Sequence, residues 1–117
     1  MITKEEKQLA LIGYATALLL YIHFILFVAA LVGVILYNSG KGNRFASFHL
    51  RQMTGIGLIA VLVNAFASAV PNGFIALLLI TLMVVLAGLG FLSANQNQQV
   101  PLPYVGRYFQ EFFSFIK

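Results

Sequence analysis

The chain has 117 residues, a formal net charge of +4, and 9% charged against 61% hydrophobic side chains; its mean hydropathy is +0.93. An average soluble domain carries roughly 25% charged residues, and a domain this small has a large surface to cover with polar groups. The composition therefore excludes a soluble enzyme, a nucleic-acid-binding module and a disordered chain, and reads as an all-α integral membrane protein. Zero cysteines exclude a disulfide scaffold, a thiolate metal site and a cysteine nucleophile.

Thr3 with Glu6 three residues later is a capping-box signature, so a helix is expected to start near Lys4. The apolar block that follows, Leu9 to Tyr37, would be roughly 43 Å long as one helix. Fitting that into a ~30 Å hydrocarbon core needs a tilt near 45°, outside the usual range of about 0–40°. A break is expected at Tyr21-Ile22-His23, whose phenol and imidazole prefer an interface. Two arms of roughly 21 Å would result, short for full crossings, and no Gly or Pro between Gly13 and Gly33 marks the turn. Whether residues 9–37 cross once or twice stays open on sequence grounds. A secretory signal peptide is rejected, because the apolar run exceeds a ~7–15-residue core and Glu5 and Glu6 sit before it.

Residues 39–48 read as a cytoplasmic loop, 49–70 as a span, 71–73 (Pro71-Asn72-Gly73) as an external turn, and 74–93 as a second span. Five of the seven basic residues (Lys41, Arg44, Arg51, Arg107, Lys117) flank these spans on one side, and the 71–73 turn has none. The positive-inside rule then places 39–52 and the C-terminus in the cytoplasm. Lys4 and Lys7 join them only if the first block crosses twice. Residues 94–102 form a polar linker held extended by Pro101. Pro103 opens a last helix over 103–117, in which Val105, Tyr108, Phe109, Phe112, Phe113 and Ile116 make one apolar stripe. That helix lies either in the membrane interface or packed under its own bundle. The whole is a compact bundle of four helical segments plus this amphipathic tail.

Polar side chains in or near the apolar blocks are few, and each is a functional suspect by default. His23 reads as an interface anchor. Asn64 and Ser68, one turn apart, read as interhelical hydrogen-bond formers or as groups solvated at the interface. The chain has no Asp, no carboxylate in any apolar block and only two histidines, so no catalytic set, metal site or cofactor is expected. The densest segment is Asn43 to Gln52. On a helix Phe45, Phe48 and Gln52 share a face with His49 beside them; Arg44 and Arg51 can take lipid phosphates, and Gln52 and His49 can bond to neighbouring helices. Arg51 is expected to contact either lipid phosphate or Glu111 of the tail. Gly55, Gly57, Gly88 and Gly90 allow close helix packing. The plainer alternative is an ordinary helix flank with snorkelling arginines.

Phe48-His49-Leu50-Arg51-Gln52 with Gly55, two spans, and then Val100-Pro101-Leu102-Pro103-Tyr104-Val105-Gly106 leading to an aromatic helix together resemble a family. It comprises the small bacterial membrane proteins related to the twenty-kilodalton channel-type subunit of the chloroplast inner-envelope protein import machinery. The likeness runs over roughly Phe24 to Lys117; the longer first block departs from it. It implies a four-helix bundle in the inner membrane, serving as a non-enzymatic subunit of a protein-translocation or membrane-protein-handling assembly. Implied partners are the lipid bilayer and other membrane subunits or further copies of the chain, with no nucleic acid and no small-molecule substrate. A structural or lipid-interacting accessory protein without transport is the competing expectation.

Overall fold

The computed structural model of the chain describes residues 2–67, 69, 72–102 and 105–117. It is all-helical over these residues, with five α-helices: α1 (Lys4–Ala15), α2 (Phe24–Asn38), α3 (Arg44–Ala67), α4 (Gly73–Asn95) and α5 (Gly106–Phe112), and a 3-10 segment over Thr16–Tyr21 between the first two. The expected count of four segments plus a tail helix omits the 3-10 segment. Ser68, Pro71 and Pro103, which figure in the expectations above, lie outside the described residues.

The capping box at the start of α1 is formed in both directions. Glu6 N–H donates to Thr3 Oγ1 at 3.1 Å and Thr3 N–H to Glu6 Oε2 at 3.2 Å. The first block then doubles back without Gly or Pro. Its helix tightens to 3-10 geometry after Ala15, Thr16 Oγ1 bonds Gly13 O at 2.6 Å, and His23 takes an extended conformation (φ −165°, ψ 135°). His23 Nδ1 accepts Ile25 N–H at 3.1 Å, so the imidazole is the N-cap of α2. A 3-10 segment rises ~2.0 Å per residue against ~1.5 Å in an α-helix, which lengthens the short arm.

The hairpin still stops short of the far end of the bundle. At its tip Tyr21 Oη meets Thr81 Oγ1 at 3.0 Å, and Thr81 lies about 12 Å along α4 from Gly73 at ~1.5 Å per residue. The hairpin's open end is fixed by Lys41 Nζ, which contacts Glu5 Oε1 at 3.2 Å and lies over the Tyr37 ring at 3.4 Å. The N-terminus therefore sits at the same end as residues 39–52.

α3 begins five residues before the expected span, because the loop closes within 39–43 on Gly40 and Gly42 at positive φ (77° and 71°). At the other end Asn72 is an extended N-cap, its Oδ1 accepting Phe74 N–H at 3.0 Å, and Gly73 is already helical. α4 ends in a Schellman motif. Asn97 supplies the left-handed residue (φ 59°), Asn97 N–H bonds Ala94 O at 3.0 Å and Gln98 N–H bonds Ser93 O at 3.0 Å.

The buried core, with Tyr14, Leu20, Phe27, Leu50, Met53, Ile56, Ala60, Met83 and Ala87, lies where both hairpins overlap. Beyond it α3 and α4 continue as a two-helix extension with Leu62, Phe66, Phe74, Leu77 and Leu78 exposed. The tail is shorter than expected. α5 ends at Phe112, and the chain opens so that main-chain oxygens of Ile116 and Lys117 reach Arg51 and Gly40.

Candidate functional site

The polar contacts concentrate at the end of the bundle that holds the first turns of α3. Asn38, the fully buried last residue of α2, donates from Nδ2 to Ser47 Oγ at 3.0 Å and accepts Asn43 Nδ2 on Oδ1 at 3.0 Å. Two consecutive helices are thereby sewn across the loop.

His49 is 1% exposed and ties three elements together. Its Nδ1 is 2.7 Å from Tyr14 Oη on α1, and its Nε2 is 2.8 Å from Gln98 O in the linker after α4. A carbonyl only accepts, so Nε2 carries the hydrogen; the neutral tautomer then accepts the Tyr14 O–H on Nδ1, and both bonds are satisfied. The rings of Phe45, Phe48 and Tyr14 stand edge-on to the imidazole, with centroids 4.7, 5.1 and 5.4 Å away. Tyr14 in turn packs against Gly90: a Cβ there would overlap its ring.

Gln52, fully buried one turn further on, donates from Nε2 to Val100 O at 3.3 Å. Its Oε1 has no hydrogen-bond partner among the described residues and packs on Gly106, where a Cβ would lie 2.7 Å from it. Through Gln98 and Val100 the linker is thus read out by two α3 side chains. Arg51 is half-buried. Its Nε donates to Ile116 O at 2.9 Å and its Nη1 to Gln110 Oε1 at 3.3 Å, while Gln110 Nε2 donates to Phe48 O at 2.8 Å.

The sequence-derived residues divide accordingly. Phe48, His49, Arg51 and Gln52 come together; Arg44 lies beside them, exposed. Glu111 is exposed and makes no ion pair with Arg51: among the described residues Lys41–Glu5 is the ion pair formed. The expected Arg51–Glu111 contact is replaced by Gln110, because the tail turns Gln110 rather than Glu111 toward α3. Gly55 receives the Phe109 ring, and Gly57 the Phe27 ring and Leu31. Gly88 is exposed with no atom near its missing Cβ, so the packing role expected of it is not one within this chain. Of the tail stripe, Ile116 is buried and Val105, Phe109 and Phe113 pack on the core, whereas Tyr108 and Phe112 are 56% and 79% exposed.

Tyr14, Asn38 and Gln98 were not singled out by sequence reasoning. For Tyr14 a signal existed: a phenol in an apolar helix, once buried, needs a partner for its hydroxyl. The linker carbonyls had none. Among the described residues, no three His, Cys, Asp or Glu side chains gather as metal ligands would. No family model, curated protein or solved structure matches this chain.

Proposed function

We propose that this chain is a multi-pass protein of the cytoplasmic membrane, with its C-terminus cytoplasmic, that acts as a non-enzymatic subunit of a protein-translocation or membrane-protein-handling assembly. The observation that carries the membrane reading is the one-sided placement of charge. All seven basic and all three acidic residues belong to α1's first turns, residues 41–51 and the tail, which meet at one end through Glu5–Lys41, Gly40–Lys117 and Arg51–Ile116. The remaining length of the bundle has no charge. α3 and α4 are each long and apolar enough to cross, and only 17% of the apolar stretch of α4 is buried inside the fold. An apolar helix with that much outward surface calls for lipid or other membrane helices around it.

The assembly reading draws on the order of the Phe48–Gln52 element, two long helices and the Pro101 linker, which resembles the import-component family. It also fits a bundle whose interior is filled by Leu50, Met53, Ile56 and Ala60, so that a conducting path would need further copies or a partner. A lipid-interacting accessory role is the second reading, favoured by the basic residues at the charged end. A photo-crosslinking residue at Leu82 or Val85, both about half exposed on α4 (51% and 53%), separates the two in intact membranes. Crosslinks to a polypeptide support the subunit, and crosslinks to lipid alone support the accessory protein.

A further inference from the structure

A cavity of about 500 Å³ opens at the charged end, lined by Arg44, Ser47, Phe48, Arg51, Gln99 and Lys117. Three of these are cationic and none is acidic. The side-chain carboxylates are engaged or elsewhere: Glu5 pairs with Lys41, Glu6 caps α1, and Glu111 lies exposed on α5; the main-chain oxygen of Lys117 accepts Gly40 N–H. Gly42 forms the remaining wall, and its positive φ of 71° lets the loop turn tightly into Arg44 at the start of the 24-residue α3.

We propose that this cleft is a binding site for the phosphate of an anionic membrane lipid. Arg44 and Lys117 have no side-chain partner among the described residues. Arg51 uses two of its five N–H donors on Ile116 and Gln110, which fixes its guanidinium at the cleft wall while leaving donors for a phosphate. Ser47 is a buried part of the wall, its Oγ taken by Asn38 Nδ2. Phe48 gives the wall an apolar portion suited to the first carbons of a lipid acyl chain. A volume of about 500 Å³ falls within the ~300–1,000 Å³ of organic-ligand sites and exceeds what a bare phosphate fills. Basic pockets at the cytoplasmic side of membrane helices hold anionic headgroups in this manner.

This inference rests on the membrane reading, so the test begins with flotation of the full chain on phosphatidylcholine vesicles. A protein that fails to float overturns both readings; one that floats and lacks lipid selectivity overturns the site alone. The purified chain in mild detergent is then offered phosphatidylglycerol and phosphatidylcholine together, and retained lipid is read by native mass spectrometry. Preferential retention of phosphatidylglycerol is expected. Arg44→Gln with Lys117→Gln should reduce it by about fivefold per basic residue removed, the equivalent of ~1 kcal/mol each. The control Lys4→Gln with Arg107→Gln removes the same charge from exposed positions off the cleft and should leave retention unchanged. An equal loss in the control, or no loss in the cleft variant with helix content intact, contradicts the site. Full displacement of the lipid by inorganic phosphate identifies a free-anion site and overturns the lipid assignment.

Discussion

The Tyr14 hydroxyl lies 2.7 Å from His49 Nδ1, joining α1 to α3 across 35 residues of sequence, and the opposite nitrogen of the same imidazole holds the linker through Gln98 O. One neutral side chain therefore holds the first hairpin, the second hairpin and the approach to the tail in register. Tyr14→Phe keeps the ring on Gly90 and removes only the hydroxyl. It should destabilise the bundle by about 0.6–2 kcal/mol, the range for interhelical hydrogen bonds in membranes. A cycle with His49→Phe, read by denaturant titration in detergent micelles, should be non-additive by a similar amount. Additive costs would mean that the two side chains act independently.

Gly88 and Gly90 are two residues apart and should behave oppositely. A methyl at position 90 overlaps the Tyr14 ring, whereas at position 88 nothing lies within 4 Å. Gly90→Ala should cost about 1–3 kcal/mol through overpacking. Gly88→Ala should be neutral or stabilising by up to ~1 kcal/mol through helix propensity. The same micelle titration distinguishes them, and equal effects would contradict the Tyr14–Gly90 contact.

The tail should be released by a charge on its inner side and not on its outer side. Phe109 lies against Gly55 and Phe113 packs on the core, while Phe112 is 79% exposed. Limited proteolysis of residues 106–117 should accelerate in Phe109→Glu and Phe113→Glu and stay at the wild-type rate in Phe112→Glu. Arg51→Leu should also accelerate it, since it removes the bonds to Ile116 and Gln110. Glu111→Gln should have no effect. Protection lost in Glu111→Gln and kept in Arg51→Leu would reverse the assignment.

How much of this was legible in the sequence follows from the range of each interaction. The capping box at Thr3 and Glu6, the two long apolar helices and a break near Tyr21–His23 all follow from local pattern and length; that the break reverses the chain did not. Phe48, His49, Arg51 and Gln52 were identifiable as polar or aromatic groups crowded at the start of a membrane-length helix. Their partners were not. Tyr14, Gln98 and Val100 are distant in sequence, and two of the three contribute main-chain carbonyls, which every residue possesses. Only one edge of the tail stripe packs within the chain: Val105, Phe109 and Phe113 meet the core, whereas Tyr108 and Phe112 point outward, and Phe113–Lys117 leaves the helix to reach Arg51 and Gly40. Gly88 illustrates the same limit: small residues permit close approach, and the geometry of the neighbouring helices decides where it occurs.

The depth of the first hairpin gives a separate prediction. Its tip meets Thr81, well short of Asn72 along α4. Ile22→Cys should therefore resist a membrane-impermeant maleimide applied from either side. Efficient labelling from the outside would show a complete crossing.

The central claim is that the charged end faces the cytoplasm and the α3–α4 turn faces the opposite side of a membrane. Because the chain has no native cysteine, single cysteines report without background. Lys4→Cys and Ser39→Cys should be modified only from the cytoplasmic side, and Asn72→Cys only from the other. Modification of Ser39→Cys and Asn72→Cys from the same side would contradict the account.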